Sequence, residues 1–389
     1  MLTRLAISNY RSVLELVVPL APLNVITGAN GSGKSNLYRA LRLLAATARD
    51  DVVAALAAEG GLDSTFWAGP ETITTAMRRG LVPVQGGPRD HGRRLRLGFS
   101  DDDYGYLIEL GLPSPDSTSA FNLDPEIKRE LIWAGDDCRP ATTLVDRRGP
   151  AVKVRDDSGW KSLAHHLNSF DSLLSQVADA RSAPQVLSLR ERIRGWRFYD
   201  HFRTDRDAPA RQVQIGTRTP VLHHDGRDLA AALQTIREIG DSDALDAAIE
   251  DAFPGARLTI EPLDDGRLKL AFHQYGLLRP LTAAELSDGT LRYLLLVAAL
   301  LTPRPPSLMV LNEPENSLHP DLLPALARLI EQASQLSQLW VVSHAAPLVE
   351  ALAAHPISHP VELYKELGET RVAGQGLLNT PKWRWPETS

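Results

Sequence analysis

The stretch "GANGSGKS", Gly28 to Ser35, satisfies the pattern G-x-x-x-x-G-K-[ST] at every position. It follows an apolar run, Leu23–Ile26, that reads as a short strand. It precedes a segment in which Leu37, Ala40, Leu41 and Leu44 fall on one helical face. Strand, glycine loop and helix form the context in which this pattern binds phosphate. Glycines 28, 31 and 33 let the backbone wrap closely with its N–H groups pointing inward. The helix N-terminus adds the positive end of its dipole. The expected cofactor contacts are Gly28, Ala29, Asn30, Gly31, Ser32, Gly33, Lys34, Ser35 and Asn36. Lys34 should reach the β- and γ-phosphates of ATP, and the Ser35 hydroxyl should ligate Mg²⁺.

Around this loop the chain has ordinary globular chemistry. It has 389 residues, 43% hydrophobic and 23% charged, with a net charge of −6. That length implies a large domain with insertions or two lobes. No run approaches the roughly 20 apolar residues of a membrane span. The start, "MLTRLAISNYRS", reads as a strand and not as a signal peptide. The single Cys138 excludes an internal disulfide and an all-cysteine metal cage. A cytoplasmic protein is expected.

Alternating and turn-bounded segments give the intervening elements. Hairpins are expected over Arg94–Leu112, over Thr143–Trp160, and around Asp264–Gly266; a short helix is expected over Asp243–Phe253. Residues 112–121 read as a surface loop, and the tail from Thr380 as loosely held despite Trp383 and Trp385.

Three further stretches carry chemistry. "ELSDGTLRYLLL" starts at Glu285 and reads as a helix with Ser287 at its N-cap. "SLMVLNEPENSLHP" starts at Ser307; its apolar strand ends in Asn312 and Glu313, with Glu315 two residues on. "QLWVVSHAAPL" is a strand ending at Ser343 and His344. Ligands collect at the C-terminal ends of strands in open α/β sheets. Taken singly, a capped helix and a structural histidine would explain Ser287 and His344.

With the phosphate loop upstream, Leu286-Ser287-Asp288-Gly289 resembles the signature motif of ABC-type ATPases, with Asp288 in place of a glycine and Thr290 in place of a glutamine. The resemblance implies that Ser287 and Gly289 contact the γ-phosphate of ATP held by an opposite subunit. It makes Asn312–Glu313 the Walker B site, with Glu313 the general base, Asn316–Pro320 the D-loop, and His344 the switch histidine. The opening "LAISNYRSV" resembles the first strand of the SMC/RecF-like branch, which places Arg11 near the nucleotide. The whole is similar to stand-alone ATPases of the AAA_21 group. The implied fold is α/β, a P-loop NTPase head of ABC type. It has a mixed sheet, an antiparallel β subdomain and an inserted α/β middle lobe. Residues 1–50 and 280–379 would form the head, 51–279 the middle region and 380–389 a tail. Gln85 is one candidate among several for the Q-loop glutamine.

Asn312 stands where such sites carry an aspartate. An amide keeps one carbonyl acceptor for a metal-bound water but loses the charge, at a cost of about 1–3 kcal/mol. Mg²⁺ keeps its waters, Ser35 and phosphate oxygens, so slow turnover is expected, with Asn312 and Ser35 as the protein's metal contacts. Glu315 offers a second carboxylate for the metal water.

The implied function is an ATP-dependent homodimerisation switch in DNA repair or maintenance. The alternative is a regulatory ATPase controlling a separate nuclease or toxin in a defence system. A built-in nuclease domain is not expected in the short stretch after His344. DNA contact is suggested by Arg190, Arg192, Arg194 and Arg197, interleaved with Trp196, Phe198, Tyr199 and Phe202. The duller alternative pairs those arginines with neighbouring acids. His223, His224 and Asp225 have metal-ligand chemistry, although a histidine-bearing turn before Gly226 explains them as well.

Overall fold

The computed structural model describes residues 1–86, 93–156, 158–376 and 379–386. The chain forms two compact units. The first holds Met1–Ala21, Gly28–Trp196 and Val361–Ser389; the second holds Pro22–Thr27 and Arg197–Pro360. The expected middle stretch is thus shared, with 51–196 in the first unit and 197–279 in the second.

The first unit is built on an eight-stranded antiparallel sheet. Its order is Val13–Pro19, Leu2–Tyr10, Leu95–Asp101, Tyr104–Gly111, Glu126–Ala134, Thr143–Arg148, Ala151–Asp156 and Gly159–His166. The expected hairpins over Arg94–Leu112 and Thr143–Trp160 supply two of its pairings, and the link between Leu2–Tyr10 and Leu95–Asp101 joins strands distant in the chain. The helix that follows the phosphate loop, Lys34–Thr47, buries Leu37, Ala40, Leu41 and Leu44.

At the centre of this sheet Arg147 and Glu130 are both fully buried and paired at 2.6 Å. Glu130 also accepts from Tyr106 Oη, Ser172 Oγ and the Leu173 N–H. Arg147 spends its remaining donors on the carbonyls of Gly149, Asn168 and Asp171. A buried ion pair is tolerated when its other hydrogen-bonding groups are satisfied in this way.

The tail departs from expectation. Trp383 makes an edge contact with Trp133 at 5.6 Å, and Trp385 another with Trp383 at 5.6 Å. Trp383 lies over Gly98, where a Cβ would come within 2.7 Å of the indole. The Lys382 carbonyl accepts from Arg4, and Trp385 Nε1 donates to Glu15. Apolar ring area buried on a strand face, and not the polar composition of the segment, decides its placement.

The second unit contains four parallel strands in the order Arg197–Tyr199, Leu308–Asn312, Gln338–Val342 and Leu23–Gly28. Their near-continuous apolar sequences suit a sheet buried on both faces. One face carries Leu23, Val25, Tyr199, Met309, Leu311, Leu339 and Val341. It packs with residues of the helices Leu229–Ile239, Asp288–Leu300, Leu323–Ala333 and Ala346–Ala353. The other face therefore takes the alternate positions, Phe198, Val310, Asn312, Trp340 and Val342. An antiparallel group completes the unit, with Arg267–His273 pairing Arg257–Pro262, Gln214–Ile215 and Leu281–Thr282. No helix among the described residues is long and apolar enough to cross a membrane.

Candidate functional site

Register brings the functional strand ends together. Ile26 lies opposite Val342, and Val342 opposite Asn312, so three parallel strands finish at one edge. Gly28 follows directly from the first of them. Its φ is +140°, and a Cβ there would meet the Leu363 carbonyl oxygen at 2.2 Å, so only glycine allows this turn. Gly33, with φ +110°, caps the helix Lys34–Thr47, and a Cβ would strike Thr370.

Thr370 is the loop's support. Its hydroxyl donates to the Ser32 carbonyl at 2.9 Å and meets Ser12 Oγ at 2.6 Å. The Asn36 amide donates to the same Ser12 at 2.7 Å, which engages this expected contact residue in bracing the loop. Lys34 is buried, and its Nζ donates to the Gly28 carbonyl at 2.6 Å and the Ala29 carbonyl at 3.3 Å. The cation thus rests on the loop it serves. Ser32 Oγ is buried and has no hydrogen-bond partner, and Ser35 is exposed. A glycine cradle with a cation and an unused donor inside it fits a polyphosphate. Arg11 has φ +52°, and its guanidinium is held by Glu59 at 2.7 Å. Glu59 engages its Nε and Nη2.

In the second unit Glu313 occupies left-handed backbone, φ +49°, which a non-glycine residue adopts only when its surroundings enforce it. Three contacts do so. Its N–H donates to the Val342 carbonyl at 2.8 Å. Its own carbonyl accepts from the Asn316 N–H at 3.1 Å and from Arg292 Nη2 at 3.0 Å. The carboxylate Oε2 accepts from the Asn316 side chain at 2.8 Å. His344 Nδ1 stands 3.8 Å from Glu313 Oε1 and 3.6 Å from Glu315 Oε1.

Glu315 is committed differently from the expectation that it serves metal water. Its Oε1 accepts from Ser343 Oγ at 2.7 Å and from the N–H groups of His344 and Ala345 at 3.0 and 3.2 Å. It is a buried brace that fixes the loop carrying His344.

Arg292 has no expected role in the sequence. It sits one turn into the helix that Ser287 caps, and is buried. Its guanidinium also points at the carbonyls of Pro314 and Phe202, each 3.4 Å away. Burial lowers its pKa from the ordinary arginine value, opposed by the charges of Glu315 and Glu313. Arg292→Met should cost about 1–3 kcal/mol in denaturant unfolding, since it leaves the buried carbonyls of Glu313, Pro314 and Phe202 without their donor. Arg292→Lys should fold but hydrolyse ATP more slowly, because an ammonium cannot span the same carbonyls. Wild-type stability of the methionine variant would refute this clamp.

The turn at Leu286–Gly289 has a second clamp. Arg211 donates to the carbonyls of Thr204, Ala283 and Leu286 and pairs with Asp288 at 2.6 Å. That pair gives a reason for an acid where the usual motif has glycine. Ser287 Oγ accepts from the Thr290 N–H at 3.1 Å and meets its hydroxyl at 2.8 Å. Gly289 lies against Ser317, whose carbonyl oxygen would be 2.9 Å from a Cβ. Ser287, Gly289 and Thr290 share with Ser317–Leu322 and Phe253 a cleft of about 580 Å³.

The arginine-rich segment does not present the expected grip for DNA. Trp196, Tyr199 and Phe202 are 1%, 3% and 2% exposed, so they cannot stack on bases. Arg192 is paired with Asp101 and Asp103, and Arg194 with Glu191 and the Ala48 carbonyl. Arg190 lies 3.4 Å from Glu191, and Arg197 is within a parallel strand. Gln85 stands on an exposed irregular segment. His223 Nδ1 and Asp225 Oδ1 are bonded at 2.7 Å, with all three candidate ligand atoms of His223, His224 and Asp225 within 4.8 Å of one another. The Asp228 carboxylate accepts from the His223 N–H, and Gly226 has φ +72°, the geometry of a closed turn.

Comparison with known proteins agrees with this architecture. An SMC head bound to the C-terminal winged-helix domain of ScpA has TM-score 0.50 and 13% identity, over 97% of this chain and 98% of that one. An SMC head from Thermotoga maritima gives 0.43 and 14%, over 97% and 99%. One with an extended coiled coil, bound to the C-terminal domain of ScpA from Pyrococcus furiosus, gives 0.48 and 12%, over 96% and 95%. At these identities the first likeness shows the fold alone. No curated protein matches the chain in sequence. Residues 23–349 match the family AAA_21, described as "AAA domain, putative AbiEii toxin, Type IV TA system". That span runs from the strand before the phosphate loop to the helix after His344, and the chain is therefore a member of AAA_21, an ATP-binding ATPase built on an SMC-like, ABC-type head.

Proposed function

We propose that this chain is the ATP-driven regulatory subunit of a two-component system. ATP and Mg²⁺ bring two copies together, and a separate protein effector, a nuclease or a toxin, reads the nucleotide state. The open cleft at Ser287, Gly289 and Thr290 carries this reading. The start of a capped helix of thirteen residues is an anion cup, and the γ-phosphate on a second copy's P-loop is a ligand of the right charge. Ser35 and Asn312 would be the protein's contacts to Mg²⁺, whose charge would offset that of the phosphates. Glu313 would orient the attacking water, with His344 beside it sensing the γ-phosphate.

The family description names a toxin and a type IV system, which favours control of an effector over DNA maintenance. The internal pairing of Arg192 and Arg194 supports the same preference. Light scattering on Glu313→Gln should show the mass doubling with Mg-ATP; an unchanged mass would remove the dimer. Co-expression with the product of the adjacent reading frame tests the effector arm. Its effect on growth should change with wild type and not with an ATP-binding-deficient variant. Equal growth in both would remove that arm.

A further inference from the structure

His223, His224 and Asp225 are consecutive, and each offers a ligand atom within 4.8 Å of the others. Neighbouring side chains on extended backbone point to opposite faces, so a run of this kind does not converge by default. A turn brings these together. The Gly226 N–H donates to the His223 carbonyl at 2.9 Å, which places His224 and Asp225 at the central positions of the turn. The two imidazole rings have centroids 4.1 Å apart, and His223 Nδ1 meets Asp225 Oδ1 at 2.7 Å.

The turn is held at several points, all within the second unit. The Leu222 carbonyl accepts from Tyr199 Oη at 2.9 Å, and the His223 N–H donates to the two Asp228 carboxylate oxygens at 3.0 and 3.3 Å. Gly226 is buried with φ +72°, and a Cβ there would come within 2.3 Å of Leu295 on the helix Asp288–Leu300. Only glycine lets the turn rest on that helix. Asp225 Oδ1 also accepts from the Arg227 N–H at 3.1 Å, which orients the carboxylate. Donor groups fixed in advance cost less to order when a ligand arrives. His223 and Asp225 are half-buried and His224 is exposed, so the cluster is open to an ion from solvent.

We propose that His223, His224 and Asp225 form a site for one divalent transition-metal ion of the zinc class, with a fourth position open to water. Two imidazoles and a carboxylate suit such an ion, whereas Mg²⁺ and Ca²⁺ take oxygen donors. A tetrahedral ion with bonds of about 2.0–2.2 Å holds its ligand atoms about 3.3–3.6 Å apart. Side-chain rotation on the fixed turn closes the wider spacings and opens the 2.7 Å pair, and the ion takes the place of the hydrogen bond between His223 and Asp225. The site shares no residue with the proposed Mg-ATP site, so either can fail without the other.

The test is a titration of untagged, chelator-stripped protein with Co²⁺, a coloured stand-in for zinc, in excess Mg²⁺. Visible absorption bands should appear, saturate at one ion per chain, and vanish when Zn²⁺ is added. His224→Gln and Asp225→Asn should each weaken Co²⁺ by about a hundredfold or more, since loss of an outer partner alone costs about 10- to 100-fold. Metal-free melting of His224→Gln should match wild type, because the turn's backbone hydrogen bonds remain. A wild type without Co²⁺ bands overturns the proposal whatever the variants do. So does a folded variant of either kind that binds as wild type does, which would put the ion elsewhere. If one variant fails to fold, the other decides.

Discussion

Lys34→Met is expected to abolish ATP-induced stabilisation and to lower hydrolysis by about a thousandfold or more. The variant keeps the buried stem and removes only the charge, so packing in the first turn of the helix is preserved. Two separate effects follow. Without nucleotide, the Gly28 and Ala29 carbonyls lose the donor that Lys34 gives them, at a cost of about 1–3 kcal/mol. With nucleotide, the cradle keeps its backbone N–H groups but has no cation for the β- and γ-phosphates. In wild type, ATP at a hundred times its dissociation constant should add about 2.7 kcal/mol of stability. Thermal melting with and without Mg-ATP separates the two effects. A variant with a lowered apo melting point and a preserved ATP shift would mean that the lysine is structural and that phosphate is held elsewhere.

The parts legible in the sequence are those whose chemistry is local. Gly28 to Ser35, Ser287 to Gly289, Asn312–Glu313 and Ser343–His344 are runs of neighbouring residues, and their spacing is set by one turn or one strand end. The hairpins were legible for the same reason, since a turn and two alternating runs specify them. Arg292 and Arg211 were not. Their acceptors are mostly backbone carbonyls distant in sequence, Glu313 and Phe202 for one, Ala283 and Leu286 for the other, and a carbonyl carries no residue signal. The strand Arg197–Tyr199 was hidden for a related reason. Its three residues read as part of a basic, aromatic segment, and only pairing with Leu308–Asn312 makes them a strand. Trp383 and Trp385 show the converse, where tail composition pointed to solvent and ring burial against Trp133 prevailed.

The clamps also bear on how the site is controlled. The helix that begins at the signature turn carries Arg292, and Arg292 holds the carbonyl of Glu313 in its left-handed conformation. On the proposed reading, a ligand at Ser287 would act on the same helix, so occupancy of the cleft and the backbone of Glu313 would share one mechanical element. Coupling of two sites needs such an element with a differential contact at each end.

Glu313→Gln should lower kcat by about a hundred- to ten-thousandfold while leaving ATP binding and melting temperature near wild type. The amide oxygen can still accept from the Asn316 side chain, and the backbone remains held by Val342, Asn316 and Arg292. On the proposed role of Glu313, only the capacity to take a proton from water would be lost, which places the effect in turnover and not in KM. Glu315→Gln should behave differently. Its oxygen is shared among Ser343, His344 and Ala345, and a buried amide has to orient one donor where no acceptor is known. That variant should melt lower and lose rate through a loosened His344 loop. It should regain part of its rate when temperature is lowered, whereas Glu313→Gln should not. If Glu315→Gln instead keeps its stability and loses turnover as fully as Glu313→Gln, the brace is wrong and the second carboxylate belongs to the reacting water.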